Sequence, residues 1–143
     1  TAVSDAGLAY LASLEKLERG LRESWKQLDP ALQKEPREKE WTGIAGTPTT
    51  LAGIAQNMTH FDAAKLDGFR MDRCMVGDLY EALAVETQAR RAANPLMGTG
   101  RADVIVAGAA ILLTAMEHFG KNELVVSSRG LRHGILLSPP ERG

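Results

Sequence analysis

Leu8, Leu11, Leu14, Leu17, Leu21, Trp25 and Leu28 recur at steps of three and four residues, the spacing that lines up side chains along one stripe of an α-helix. Glu15, Lys16, Glu18, Arg19, Arg22, Glu23 and Lys26 stand between them, so the helix predicted from Asp5 to about Leu28 packs by one face only. Ser4 and Asp5 suit its N-cap. Asp29-Pro30 ends or sharply kinks it, because proline lacks an N–H and disfavours the helical region in the residue before it. Lys34 to Glu40, charged in both signs around Pro36, reads as a solvated linker.

Trp41 to Ala45 then predicts a short strand, and Leu51, Ile54, Ala55 and Met58 predict a helix after it. Gly46-Thr47-Pro48-Thr49-Thr50 joins the two, with Thr47 as N-cap and Pro48 as first helical residue. His60 to Arg70 shows no period and reads as an extended connection. A second long helix is predicted from Asp72 to Ala93, with Met75, Leu79 and Leu83 on its inner edge and Asn94-Pro95 as its stop. After a flexible Gly98-Thr99-Gly100 turn, Arg101 to Phe119 is apolar nearly all round and small in its middle, at Ala107 to Ala110. That is the pattern of a central helix packed closely against other backbone. Gly120 supplies the left-handed residue that ends it. Glu123 to Ser127 reads as a buried strand, and Ser128 as the cap of a short helix from Arg129 to about Leu136. Residues 137–143, with Ser138-Pro139-Pro140, form a tail.

Composition narrows the picture in three ways. At 143 residues, 44% hydrophobic and 24% charged, the chain is that of one folded domain. Seventeen Lys+Arg against 18 Asp+Glu, a formal charge of -1, exclude a strongly basic nucleic-acid surface, so any polyanion must be met locally. The single cysteine, Cys74, excludes a disulfide framework and a cysteine-rich zinc site and fits a reducing cytoplasm. The apolar stretch from Val104 to Met116 is shorter than the roughly 20 residues a bilayer needs, so no membrane span is expected. The chain begins at Thr1 rather than Met, which suggests a processed product or an excised piece.

Candidate chemistry collects at element ends. At the Gly46-Thr47-Pro48-Thr49-Thr50 junction, the free N–H groups and positive dipole end of a helix favour an anion, and glycine lets a phosphate approach the backbone. Helix capping explains the same residues, and the spacing is not that of a P-loop. Asp103 is accounted for by the dipole of its helix. Arg101 near a helix start opposes that dipole, so it needs an anionic partner or Asp103 itself. Ser127-Ser128-Arg129 repeats the scheme of strand end, hydroxyl cap and cation. His60, His118 and His133 lack metal-binding spacing, and no serine sits in a nucleophile elbow.

The order of these segments is specific. A long amphipathic helix, then Gly43-Ile44-Ala45-Gly46-Thr47-Pro48-Thr49-Thr50, then Arg101-Ala102-Asp103-Val104-Ile105 running on to Leu112, then Val126-Ser127-Ser128-Arg129-Gly130-Leu131-Arg132 resembles the second catalytic-core domain of the exopolyphosphatase and guanosine pentaphosphate phosphohydrolase family. Asp67-Gly68-Phe69-Arg70 looks like that family's His-Gly-Tyr-Arg/Lys stretch. The resemblance implies an α/β, ribonuclease H-like (actin-like ATPase) fold. It implies that Gly46, Thr47, Thr49 and Thr50 face a cleft, with Arg101, Asp103, Ser128 and Arg129 around it as phosphate- or substrate-binding residues. The activity implied is Mg²⁺-dependent release of terminal phosphate from inorganic polyphosphate or guanosine pentaphosphate. The family's catalytic glutamate and its Asp-Ile-Gly-Gly-Gly-Ser loop have no counterpart in these 143 residues. Ala45 stands where glycine is frequent, Pro48 for alanine, Ser128 for aspartate and His133 for glutamate.

The expectation is therefore the C-terminal part of such a domain over residues 1–143, truncated and mostly helical, with a short parallel sheet of two strands near Thr42 and Val125. It would supply anion-binding loops, with no catalytic residue and no metal ligand of its own, and would be inactive alone. Its partners would be the polyphosphate or nucleotide, a missing N-terminal domain, and a second copy hiding the sheet edge and the Leu14, Leu17 and Leu21 stripe. The rival reading is a non-catalytic module binding polyphosphate or guanosine tetraphosphate. Were the chain active by itself, Glu38, Glu40 or Asp103 would be the carboxylates to suspect.

Overall fold

The computed structural model describes residues 5–138. Its first helix, α1 (Asp5–Lys26), follows the leucine stripe; Ser4, the other candidate cap, lies outside the described residues. Leu14 from that stripe is in the core, 4% exposed, so it is unavailable to a second copy, while Leu17 and Leu21 stay half-buried. Asp29-Pro30 breaks the helix as expected, but the break is also a start. The Asp29 carboxylate accepts from Ala31 N–H at 2.8 Å and Pro30 takes the first position of α2 (Pro30–Glu38). The charged run is thus largely helical rather than a linker. Lys34 pairs with Glu38 at 3.6 Å and Glu35 with Lys39 along its surface, one turn apart, and the Trp41 indole donates to Pro36 O at 2.8 Å.

The sheet is small and mixed. β3 (Glu123–Val126) lies between β1 (Thr42–Gly43) and β2 (Arg70–Asp72), parallel to β1 and antiparallel to β2. The expected two-stranded parallel sheet thus gains a third, antiparallel strand at the end of the supposed connection. Three residues are too few to display a period, yet Met71 is fully buried between exposed Arg70 and Asp72. Arg70 ties this strand to its surroundings through Glu123 and through Glu40, at 3.1 Å.

Around the sheet follow α3 (Gly46–Ala55), α4 (Ala63–Leu66), α5 (Arg73–Val85), α6 (Gln88–Ala92), α7 (Gly98–His118) and α8 (Leu131–Leu137). The long helix expected from Asp72 to Ala93 is two. Arg91 is the reason: buried to 7% exposure, it donates to Leu83 O at 3.0 Å, Glu86 O at 2.5 Å and Ala102 O at 3.1 Å. It satisfies carbonyls that end α5, and Thr87 then caps α6 by accepting from Arg90 N–H. The Gly98-Thr99-Gly100 segment, expected as a turn, is the first turn of α7. By length and composition α7 could cross a membrane, but it packs against α1, α3, α5 and α6, and Ile105, Val106, Ala109 and Ala110 join Leu51, Leu124 and Val126 in the core. Gly120 ends it at φ 65°, with Lys121 N–H returning to Met116 O at 2.7 Å. α8 is capped at Gly130 rather than Ser128, and all its residues are exposed. Of the tail, residues 139–143 lie outside the described residues.

Candidate anion-binding cleft

The turn from β1 into α3 is made by Ala45 at φ 67°, ψ -162°, a conformation natural only to glycine. It brings the helix start forward. Thr47 is not the N-cap: the helix begins at Gly46, and Pro48 is its third residue, where a missing N–H still removes only an orphan donor. The three threonines go separate ways. Thr47 turns onto α7, where a Cβ on Gly108 would lie 2.4 Å from its hydroxyl oxygen. Thr49 lines the cleft, its hydroxyl donating to Ala45 O at 2.7 Å and Gly46 O at 3.2 Å. Thr50 is fully buried and accepts from Arg101 Nη1 at 3.2 Å.

Arg101, in the first turn of α7, is the cation of this cleft. Its Nη1 also donates to Leu96 O at 3.4 Å, its guanidinium lies 3.6 to 3.8 Å from where a Cβ on Gly46 would be, and its Cζ stands 5.4 Å from the centre of the Phe61 ring. Gly46 thus gives an open backbone face beside the guanidinium. Among the described residues no carboxylate pairs with Arg101. Asp103 does not: two residues apart on a helix point to different sides, and Asp103 accepts from Gln88 Nε2 at 2.6 Å on α6, away from the cleft.

The opposite rim is the connection after β3. Ser128 lines the cleft, and its N–H donates to Asp67 Oδ1 at 2.5 Å. That backbone bond and the Ser128 hydroxyl, and after them the charges of Arg129 and His133, hold the Asp67 carboxyl below the usual carboxylate range, against an opposing effect of desolvation. Arg129 is exposed and approaches Asp67 Oδ2 at 3.9 Å instead of facing the cleft. Between the rims is an open cavity of about 340 Å³, with Gly46, Thr49, Arg101 and Ser128 as its polar part and Ala45, Phe61, Ala63 and Leu66 as its apolar part. The expected set is therefore gathered in part: Gly46, Thr49, Arg101 and Ser128 meet, Thr50 supports Arg101, and Thr47, Asp103 and Arg129 lie aside.

Phe61 and Asp67 are the residues that the pattern of the chain did not single out as site residues. Phe61 sits in a segment without period, and only the tertiary fold brings it over Arg101. For Asp67 a local signal exists, the following Gly68 at φ 83°, which marks a tight bend. Among the described residues no carboxylate lines the cleft, Glu38 and Glu40 being paired with Lys34 and Arg70. Among the described residues no group of three or more His, Cys, Asp or Glu could hold a metal ion.

Residues 7–142 match the Ppx/GppA phosphatase family. The chain belongs to that family. Two strains of Mycobacterium tuberculosis carry an exopolyphosphatase 2 that is 36% identical over 132 residues, an overlap of 88% of this chain and 41% of that protein. The Ppx/GppA enzyme of Aquifex aeolicus superposes with a TM-score of 0.73 at 30% identity, over 88% of this chain and 39% of the enzyme. An exopolyphosphatase from Cytophaga hutchinsonii shares the fold at 21% identity and a TM-score of 0.64, covering 83% and 40% of the two chains. The Ppx/GppA likeness gives the α/β, actin-like fold that the segment order implied. This chain spans about two fifths of the length of these relatives.

Proposed function

We propose that this chain forms the anion-holding wall of a phosphohydrolase cleft, in which terminal phosphate is released from inorganic polyphosphate or guanosine pentaphosphate. The observation that carries this reading is Arg101: a guanidinium without a carboxylate partner among the described residues, held by Thr50 and Leu96 O against Gly46 at the start of α3. A cation and the N-terminal N–H groups of a ten-residue helix together offer charge and donors to phosphate oxygens. In phosphoryl transfer such groups spread the charge that builds on the departing phosphoryl. Among the described residues no carboxylate lines the cleft, and in this reading the base that orients water is supplied by another part of the enzyme.

The test is equilibrium binding of medium-chain polyphosphate to the folded chain, beside an assay of phosphate release with Mg²⁺. Arg101→Ala is expected to weaken binding roughly 10- to 100-fold, the range for losing a charge-assisted bond, with thermal melting followed as the control for folding. Unchanged affinity in Arg101→Ala would remove the reading. The chain alone is expected to release no phosphate. The second reading is a non-catalytic module for polyphosphate or guanosine tetraphosphate. The two part on mixing this chain with a polypeptide bearing the Asp-Ile-Gly-Gly-Gly-Ser loop: restored phosphate release supports the enzyme, and binding without turnover supports the module.

A further inference from the structure

Among the described residues, the buried polar and charged side chains are Thr50, Arg91 and Thr114, and two of them have a structural reason. Arg91 satisfies carbonyls at the end of α5, and the Thr114 hydroxyl donates to Ala110 O of its own helix at 2.7 Å. Thr50 is different. It is fully buried in α3 beside Leu51, Ala52 and Gly53, where valine would fill the same space without taking an oxygen out of water. Its hydroxyl instead accepts from a cation of another helix, Arg101 Nη1 at 3.2 Å. Leu96 O accepts from the same nitrogen at 3.4 Å, and the Phe61 ring lies under the guanidinium, 5.4 Å from Cζ. A rigid planar group held at one corner and on one face has its orientation set. The edge left over is made of Nε and Nη2, and it lies along Gly46, where a Cβ would stand 3.7 and 3.6 Å from these two nitrogens. Among the described residues neither nitrogen has a hydrogen-bond partner.

We propose that Thr50 is a positioning residue: by engaging Nη1 it turns the Nε and Nη2 edge of Arg101 toward the start of α3, where that edge holds two oxygens of one phosphate side-on. The inference rests on the reading of Arg101 as a phosphate-binding residue, and goes beyond it in assigning the buried hydroxyl and the donor edge. The N–H bonds of Nε and Nη2 on that edge run parallel and match two oxygens on one phosphorus, a geometry that the point charge of a lysine does not reproduce. The side chain that Gly46 lacks leaves the room such a phosphate needs. Without the Thr50 oxygen Arg101 keeps its charge and loses a fixed direction, so the anion must order the side chain as it binds.

Inorganic tripolyphosphate is the probe, titrated by calorimetry into the 143-residue chain. A second readout is the Nε–H nuclear magnetic resonance of Arg101, identified by its absence in Arg101→Lys. Thr50→Val is expected to weaken binding about 3- to 10-fold, the scale of one hydrogen bond, and to broaden that resonance while thermal melting stays unchanged. Thr50→Ser, which keeps the hydroxyl, is expected to bind as tightly as the unaltered chain. Arg101→Lys is expected to bind as weakly as Arg101→Ala. Gly46 is outside the left-handed region, so its backbone accepts alanine. Gly46→Ala leaves Arg101 and Thr50 in place, is expected to weaken binding by closing the space along the edge, and decides the question even if Thr50→Val fails to fold. Undiminished binding by Thr50→Val or Gly46→Ala, full binding by Arg101→Lys, or a loss shared equally by Thr50→Ser overturns the positioning inference and leaves the phosphate reading standing. If tripolyphosphate fails to bind, or binds regardless of Arg101→Ala, the phosphate reading falls and takes this inference with it.

Discussion

At the residue scale, Ala45 is the clearest conflict between side chain and backbone. Its φ of 67° with ψ of -162° puts a Cβ in a region essentially reserved for glycine, which costs of order 1–3 kcal/mol. Ala45→Gly is therefore expected to stabilise the chain by about 1 kcal/mol, part of the relief being offset by the greater freedom of glycine in the unfolded chain. Chemical denaturation with an unchanged denaturant slope would show it, and a loss of stability would mean that the turn is not strained. The turn from β1 sets where Gly46 lies, and Gly46 sets how near the guanidinium of Arg101 comes. Sequence alone shows that position 45 is alanine where glycine is frequent in the resembling family, but the strain is visible only in the dihedrals.

At the element scale, α3 meets α7 at one very close contact. A Cβ on Gly108 would come within 2.4 Å of the Thr47 hydroxyl oxygen, a distance that real side chains do not reach, and within 3.1 Å of its methyl carbon, a tight contact. Gly108→Ala is expected to cost about 1–3 kcal/mol through overpacking. In combination with Thr47→Ala, which removes the two nearest of the crowded atoms and leaves only the Cβ at 3.3 Å, most of that loss should return. A double-mutant cycle showing a coupling of at least about 1 kcal/mol would confirm it, since residues in direct contact are the ones that fail to add. Strictly additive changes would show that the helices are not in this register. The small residues in the middle of α7 were legible as a sign of close packing, whereas the partner of Gly108 was not. Thr47 reads equally well as a cap, and its true neighbour is 61 positions away.

At the scale of the whole molecule, the end of α7 is held by a cluster drawn from distant parts of the chain. Trp25 of α1 lies 5.4 Å from His118 and 5.6 Å from Phe119, and Trp41 lies 5.8 Å from Phe119, ring centre to ring centre. Nε2 of His118 is buried without a partner, Arg22 bonds Glu117 at 2.5 Å, and Arg37 donates to His118 O at 3.3 Å. Burial, and then the charges of Arg22, Arg37 and Lys26, push the imidazole below its ordinary value of 6.5. The unfolded chain thus binds this proton more strongly than the folded one. The stability contributed by neutral His118 is complete above that value and is lost as pH falls from it through the lower folded one. Denaturation midpoints are expected to fall between about pH 7 and pH 5 in the unaltered chain and to fall less in His118→Gln. Parallel pH profiles would count against the imidazole as the source.

The hydrophobic pattern by itself determined most of the helices and two of the three strands, because period and punctuation are local properties that a chain carries wherever it folds. It determined the central helix through its all-round apolar surface, and the order of motifs was enough to assign the family. It did not determine the edges of elements whose ends are decided by a distant group. The break between α5 and α6 depends on Arg91 reaching Ala102 O, and β2 exists because Met71 finds Leu124 opposite it. The cleft divides in the same way. Arg101 was legible because a cation at a helix start goes against the dipole and needs a reason. The removal of Thr47, Asp103 and Arg129 from the cleft, the entry of Phe61, and the hold of Asp67 on the backbone of Ser128 at the rim were decided by the tertiary structure, since which side of a helix faces which loop is fixed by packing and not by residue type.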